Sequence, residues 1–512
     1  MGLGLGAAAV LALWARPPDL VRVGANYTAK IVCSNAFLTQ RDPAEVFATD
    51  VQAPGHPLLR LMRIDVDRMH GLVRAGLFGF IGDGLAVAVP GRGCAVVPDG
   101  RIDALRKQQT AAVEPPMSPA AGDAEAAIVP ALQHLADDDS LAGPGMRAIV
   151  VIHDGRIVAE RYAPGFERDT VQLGWSMTKS VTAGLIGLLV KDGRLQLDAP
   201  AGWTRQDGGE RISIADLLSM TSGLEFNEGY GAVSDVTRML YLEPDMDEFA
   251  RVKALVHPPG AVWSYSSGTA VMLARIFQNT ALPDPLGYLH ARLFGPLGMS
   301  SAVIEADEAG NLVGSSYMYA TPRDWARYGQ LLAQDGVWNG AEILPRGFVA
   351  MMSSPVAPSG GEYGHGMVWR WATHSDKPGV NPDIAYGIPE DTFWMSGHDG
   401  QYVAITPSRQ LVIVRMGLTP TRLLYHPEPL VSAMLLAAQD APSHSQTDVP
   451  KSGRLLDLLQ TAAPKVGNDF PGRIVSRRAG DSATGVCARA THVQALERTA
   501  IVAMAQHGAR GK

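Results

Sequence analysis

Ser176-Met177-Thr178-Lys179 is the one place in this chain where a lysine follows a serine by three residues. A serine hydroxyl is a poor nucleophile at neutral pH and needs a neighbouring base or cation. On a helix, positions i and i+3 share a face, so the hydroxyl and the amine can meet. Apolar residues then run on to Lys191 and Gly193, which predicts a buried helix with a glycine stop. A serine in its first turn sets its backbone N–H at the positive end of the helix dipole, where an acyl-transfer oxyanion is stabilised.

Two further segments carry chemistry. Pro258-Pro259-Gly260 forces a loop before Trp263-Ser264-Tyr265-Ser266-Ser267-Gly268, and Ala270–Phe277 reads as a helix. Tyr265 then stands on a loop at a helix entry. Its phenol needs a nearby cation to act as a base, and Lys179 is the candidate. Ser396-Gly397-His398-Asp399-Gly400-Gln401 leads into a strand. Gly397 and Gly400 allow close backbone approach to a ligand there. The N–H of Gln401 is a candidate second oxyanion donor, and His398 a donor to a substrate carbonyl or carboxylate. No Gly-x-Ser-x-Gly elbow surrounds Ser176, which disfavours a Ser/His/Asp triad.

The elements that must hold these residues follow from the patterning. Two β-patterned runs, Met146–His153 and Arg156–Tyr162, flank Asp154-Gly155, a strong hairpin signal. The pattern recurs at Gln401–Thr406 and Leu411–Met416, followed by a helical run at Leu430–Gln439. Hairpins at both ends of a helix-rich middle predict one antiparallel sheet flanked by helices, an α+β fold. This main domain spans 123–440 and opens on a helical stretch, Ala124–Ala136. Residues 20–110 read as a small β-rich N-terminal module, with strand-like runs at Leu59–Val66, Leu72–Ile81 and Leu85–Val89. Segment 111–122 reads as a linker and 441–512 as a disordered tail without assigned function.

The composition is that of a globular protein, 46% hydrophobic and 19% charged over 512 residues. A net charge of -7 argues against nucleic acid as a partner. Of the three cysteines, Cys33 and Cys94 are either a disulfide in an exported protein or two buried thiols, and no C-x-x-C pair suggests a metal. Residues 1–19 are apolar to Ala15 and end in Arg16-Pro17-Pro18. The run is short of the ~20 residues of a spanning helix and lacks a basic leading region. The expectation is export, or attachment to a membrane facing the periplasm; the alternative is a cytoplasmic chain.

In this order, the three segments resemble those of the serine hydrolases of the β-lactamase and penicillin-binding-protein superfamily, on the class C side. Ser176-x-x-Lys179, Tyr265-x-Ser267 and His398-x-Gly400 stand where that family has Ser-x-x-Lys, Tyr-x-Asn or Tyr-x-Ser, and Lys- or His-x-Gly. Asp216–Gly223, Pro296–Met299, Thr321–Asp324 and Gly329–Leu332 also look like the family, and the resemblance covers about 125–440. It implies an all-helical subdomain beside the antiparallel sheet, and acyl transfer without cofactor or metal: Ser176 as nucleophile, Tyr265 tuned by Lys179 as base, and the N–H groups of Ser176 and Gln401 as oxyanion donors. Ser267 and His398 would orient a small-molecule substrate. His398 and Ser267, in place of Lys and Asn, resemble the esterases and amide hydrolases of the superfamily, such as 6-aminohexanoate-dimer hydrolase. D-amino-acid peptides, β-lactams and a catalytically silent binding protein are the alternatives. Glu225–Asp247 and Gly360–Thr392 are the least patterned parts of the domain and read as specificity loops, with Tyr230 and Tyr363 as candidate pocket aromatics.

Overall fold

The computed structural model describes residues 13–102, 127–203 and 207–439. The segments read as linker and tail lie outside the described residues, as does most of the apolar leading run.

Before the main domain, helix α1 (Asp19–Phe37) lies on a four-stranded antiparallel sheet of β1 (Met62–Asp67), β2 (Leu72–Leu77), β3 (Ile81–Val89) and β4 (Gly93–Val96), in that order. The strands fall on the apolar runs, but α1 corrects a purely β-rich reading. Asn26, Thr28, Lys30, Ser34 and Asn35 are buried along it together with its apolar residues, so it shows no clean apolar stripe. Helix and sheet meet closely, since a Cβ at Gly84 would run into the backbone of Ala25. A Cys33–Cys94 disulfide ties α1 to β4, so the two cysteines are bonded to each other and are not two free thiols.

The main domain opens with α2 (Pro130–Ala136) and the hairpin β5 (Met146–His153) and β6 (Arg156–Tyr162). Asp154 and Gly155 both have positive φ, as the tight hairpin turn requires. The helix is shorter than expected. Ala127 and Val129 hydrogen-bond along β6 instead, because the residue before a proline is driven out of helical conformation and Pro130 then starts the helix. Strands β7 (Phe393–Gly397), β8 (Gln401–Thr406) and β9 (Leu411–Gly417) complete a sheet of order β7-β8-β9-β5-β6. Val414 of β9 pairs with Val150 of β5, so the two ends of the domain share one sheet.

Strand alternation assigns the two faces. Ile149, Val151, Trp394, Ala404 and Ile413 pack against α2 and α6 (Glu428–Gln439). Val150, Ile152, Val403, Val412 and Val414 face the opposite core. That core holds α3 (Met177–Lys191), α4 (Ser267–Thr280) and α5 (Pro322–Ala333). Helix α5 touches the sheet through Gly329, where an added Cβ would lie 2.6 Å from Val412 and 3.0 Å from Val403. Gly329→Ala should gain about 1 kcal/mol of helix propensity but lose about 1–3 kcal/mol to overpacking. The net expectation is a melting temperature lower by a few degrees, measured by calorimetry.

Candidate active site

Ser176 is positioned by a turn that only particular residues can make. Gly174 bonds back to the Met318 carbonyl, and a Cβ on it would collide with the Trp325 ring. Trp175 has φ +48, an uncommon left-handed conformation for a bulky residue. The chain then enters α3 with Ser176 as its N-cap. The Ser176 side chain makes no capping bond, and Lys179 Nζ stands 3.0 Å from Ser176 Oγ.

Lys179 is 1% exposed. Its Nζ reaches three oxygens at 3.0 Å: Ser176 Oγ, Ser267 Oγ and the Ser315 carbonyl. Burial lowers its pKa to about 8, against the opposing pull of the Glu228 carboxylate. The donor count identifies what each partner does. A carbonyl only accepts, so Ser315 takes one N–H. The single Ser267 hydroxyl hydrogen goes to Glu228, so Ser267 takes another. Ser176 alone retains a hydrogen to give. When the amine is neutral, its lone pair therefore points at Ser176.

Glu228 is fully buried and went unmarked in the sequence, inside a segment read as a specificity loop. It accepts from the Ser267 backbone N–H at 2.8 Å and from the Ser267 hydroxyl. That backbone N–H opens α4, so the carboxylate caps the positive end of a helix. Burial raises the Glu228 pKa, and Lys179 and these hydrogen bonds oppose the rise. Ser267 itself is 0% exposed. It bridges Lys179 and Glu228, accepting from the amine and donating to the carboxylate, and is closed off from solvent where an orienting contact with substrate was expected.

Tyr265 is half-buried. Its ring centroid lies 4.8 Å from Lys179 Nζ, inside cation–π range. It stacks on Trp369 at 5.6 Å and meets Tyr363 edge-on. Tyr363 is buried, so it packs behind the cleft and does not line it. Tyr230 is half-buried; its hydroxyl donates to Glu228 and its ring stacks on His398 at 5.1 Å.

The third segment is placed less simply. His398 has 38% side-chain exposure and also meets Trp175 edge-on, so it borders the Ser176 turn. Gly397 abuts that turn directly, and a Cβ there would strike the Gly174 carbonyl. Gly400 makes its close approach to Arg415, which bonds the Gly400 carbonyl at 2.7 Å, and not toward the cleft. The Gln401 side chain clamps both backbone groups of Gly417. Trp394 exchanges both backbone bonds with Trp369 on the outer side of β7. Antiparallel alternation then turns Gly397 toward its partner Gln401 and His398 N–H toward the outer side. Both Gly400 and Gln401 thus belong to the hairpin interior, and His398 N–H, not that of Gln401, is the one turned away from the hairpin.

A core with a serine, a buried lysine and a tyrosine at helix entries beside an antiparallel sheet defines a class of hydrolase fold. The chain belongs to the beta-lactamase family, whose family model matches residues 134–421. It is 25% identical over 318 residues to 6-aminohexanoate-dimer hydrolase of Paenarthrobacter ureafaciens, covering 56% of this chain and 76% of that protein. Among solved structures, SurE with D-Leu is 21% identical, with 63% of this chain and 78% of that one covered and a TM-score of 0.46. A penicillin-binding protein homologue from Caulobacter crescentus is 17% identical, with 60% and 96% covered and a TM-score of 0.44.

The contact of Gly397 with the Ser176 turn yields a test. Gly397→Ala should force β7 away from Gly174, and a displacement near 1 Å at a reacting centre costs about 10²-fold. Labelling of Ser176 by a fluorophosphonate should slow by that order while the circular dichroism spectrum stays unchanged.

Proposed function

We propose that this chain is a serine hydrolase that cleaves a small amide or ester through a covalent acyl-Ser176 intermediate. The observation that carries the reading is the set of three oxygens around Lys179, only one of which has a proton to give. Neutral Lys179 takes the Ser176 hydroxyl proton as Oγ bonds to the substrate carbonyl carbon. The oxyanion so formed rests on Ser176 N–H and His398 N–H. As the C–N or C–O bond breaks, the proton held by Lys179 passes to the departing amine or alcohol, with Tyr265 assigned as the relay. Water then cleaves the ester and restores Ser176. These transfers need neither metal nor organic cofactor.

The side chains beside Ser176 support a substrate class. The half-buried rings of Tyr230, Tyr265 and Trp369 offer aromatic surface for an aliphatic chain, and His398 offers a polar end. A short linear amide or simple ester suits this better than an anionic β-lactam held by a lysine, and the similarity to 6-aminohexanoate-dimer hydrolase supports it. We also read the chain as exported, either periplasmic or attached through its apolar leading run. The Cys33–Cys94 bond supports this, since such bonds persist in oxidising compartments.

Ser176→Ala should lower hydrolysis of p-nitrophenyl esters and linear amides by on the order of 10³-fold or more. An unchanged rate overturns the reading. For the wild type, kcat/KM should rise with pH through a midpoint near 8, because only deprotonated Lys179 has a lone pair for Ser176. Glu228→Gln removes the charge that favours the ammonium form. The Lys179 pKa then falls, and the limb should move to lower pH. Protein isolated from cells under thiol-trapping conditions should show Cys33 and Cys94 unalkylated by mass spectrometry; two alkylated thiols would count against export.

A further inference from the structure

The family match begins at residue 134, and the helix and sheet before it have no part in the chemistry above. Yet their contact with the main domain is built around a buried charge. Lys30 of α1 and Glu305 of the main domain form an ion pair with 1% and 0% side-chain exposure. Lys30 Nζ also donates to the Cys94 carbonyl at 2.6 Å and to Ser34 Oγ at 3.1 Å. The Glu305 carboxylate accepts from Ser34 Oγ at 2.9 Å and from the Cys94 N–H at 2.6 Å. Cys94 is the residue that the disulfide fastens to α1. Gly93 leaves room, since a Cβ there would overlap Glu305. Among the described residues, every donor to this carboxylate therefore comes from α1 or β4.

Glu305 is also bonded to both ends of the turn that holds Lys179. Its N–H donates to the Tyr317 carbonyl, and its carbonyl accepts from Val313 N–H, both at 2.9 Å. Tyr317 N–H closes the turn onto the Val313 carbonyl at 3.2 Å. Ser315, inside that turn, supplies the carbonyl that takes one Lys179 N–H. The Tyr317 ring packs on Trp175, next to Ser176, and Lys30 Nζ lies 4.3 Å from its centroid.

We propose that the N-terminal helix and sheet are a positioning element of the active site: the clasp of Lys30, Ser34 and Cys94 on Glu305 fixes the Val313–Tyr317 turn, and with it the Ser315 carbonyl that orients Lys179. The proposal rests on the Ser176–Lys179 reading. A buried carboxylate without its partners is strongly disfavoured, so on release of the clasp Glu305 takes up a proton or moves, and either way the contacts that fix the attached turn are weakened. Lys179 then loses a fixed acceptor, and its lone pair is no longer confined to Ser176.

The test uses the full chain and a soluble p-nitrophenyl ester. Lys30→Met should lower kcat by roughly 10²-fold with KM nearly unchanged. Its pH limb should move below that of the wild type, since a lost carbonyl acceptor disfavours the ammonium. Cys33→Ser with Cys94→Ser keeps Lys30 and Glu305 and should give a smaller loss with the same shift of the limb. It decides the matter if Lys30→Met does not fold. A lowered melting temperature with wild-type kcat and pH limb, read where the variant is folded, overturns the proposal and leaves a purely structural clasp. Turnover that survives Ser176→Ala overturns the Ser176 reading and this proposal together. Ser176-dependent turnover untouched by the clasp variants overturns this proposal alone.

Discussion

A lysine amine in a water-excluded site is the constraint on which this site depends. An isolated ammonium there is disfavoured by several kcal/mol, so the fold must either surround it with acceptors or let it lose its proton. Here both happen. Three oxygens from three separate parts of the chain converge on Lys179 Nζ, and burial still brings its pKa down to about 8. Each oxygen belongs to an element with its own anchor. Ser176 sits on the turn wedged between Trp325 and β7, Ser267 opens α4, and Ser315 lies in the Val313–Tyr317 turn bonded to Glu305. The arrangement of α3, α4 and the sheet is the means by which these three points are kept within hydrogen-bond reach of one nitrogen.

Much of the frame was legible because it rests on local rules. The Asp154-Gly155 hairpin, the second hairpin after Gln401 and the helix after Ser176 each follow from a turn dipeptide or a period, and each stands where its signal lay. The site itself was legible as a constellation but not as a set of directions. Ser267 and Gln401 lie in segments whose order along the chain is visible in the sequence. Whether a side chain faces a cleft or a neighbour, however, depends on partners distant in the chain. Glu228 meets Ser267 from 39 positions away, and Gly417 meets Gln401 from 16. Glu228 had no local signal at all, since an isolated glutamate in a pattern-poor run looks like solvent-exposed charge. Helix α1 was missed for the converse reason. Its polar residues are buried by partners that periodicity does not reveal, Glu305 and the Tyr241 carbonyl among them.

Among the described residues two buried Lys–Glu pairs occur, and their chemistry differs because their geometry does. Lys30 touches Glu305 directly, and the Cys94 N–H adds to the pairing. Such a pair is specific and holds two bodies in register, and its charges have no freedom to move. Lys179 and Glu228 are instead joined through the hydroxyl of Ser267, which accepts from the amine and donates to the carboxylate.

That intervening hydroxyl settles how the amine can act. The attraction between two charges in a low-dielectric interior falls inversely with their separation, whereas the desolvation cost of the ammonium depends on its burial alone. Direct contact does not by itself let attraction win: Lys30 touches Glu305, and burial still lowers the Lys30 pKa. With Ser267 between amine and carboxylate the attraction is weaker still, so desolvation prevails and the Lys179 pKa falls to about 8 against the remaining pull of Glu228. A serine is suited to this because one hydroxyl can accept and donate in the same line. Ser267 thus contributes less by touching a substrate than by setting the distance at which Glu228 acts on Lys179.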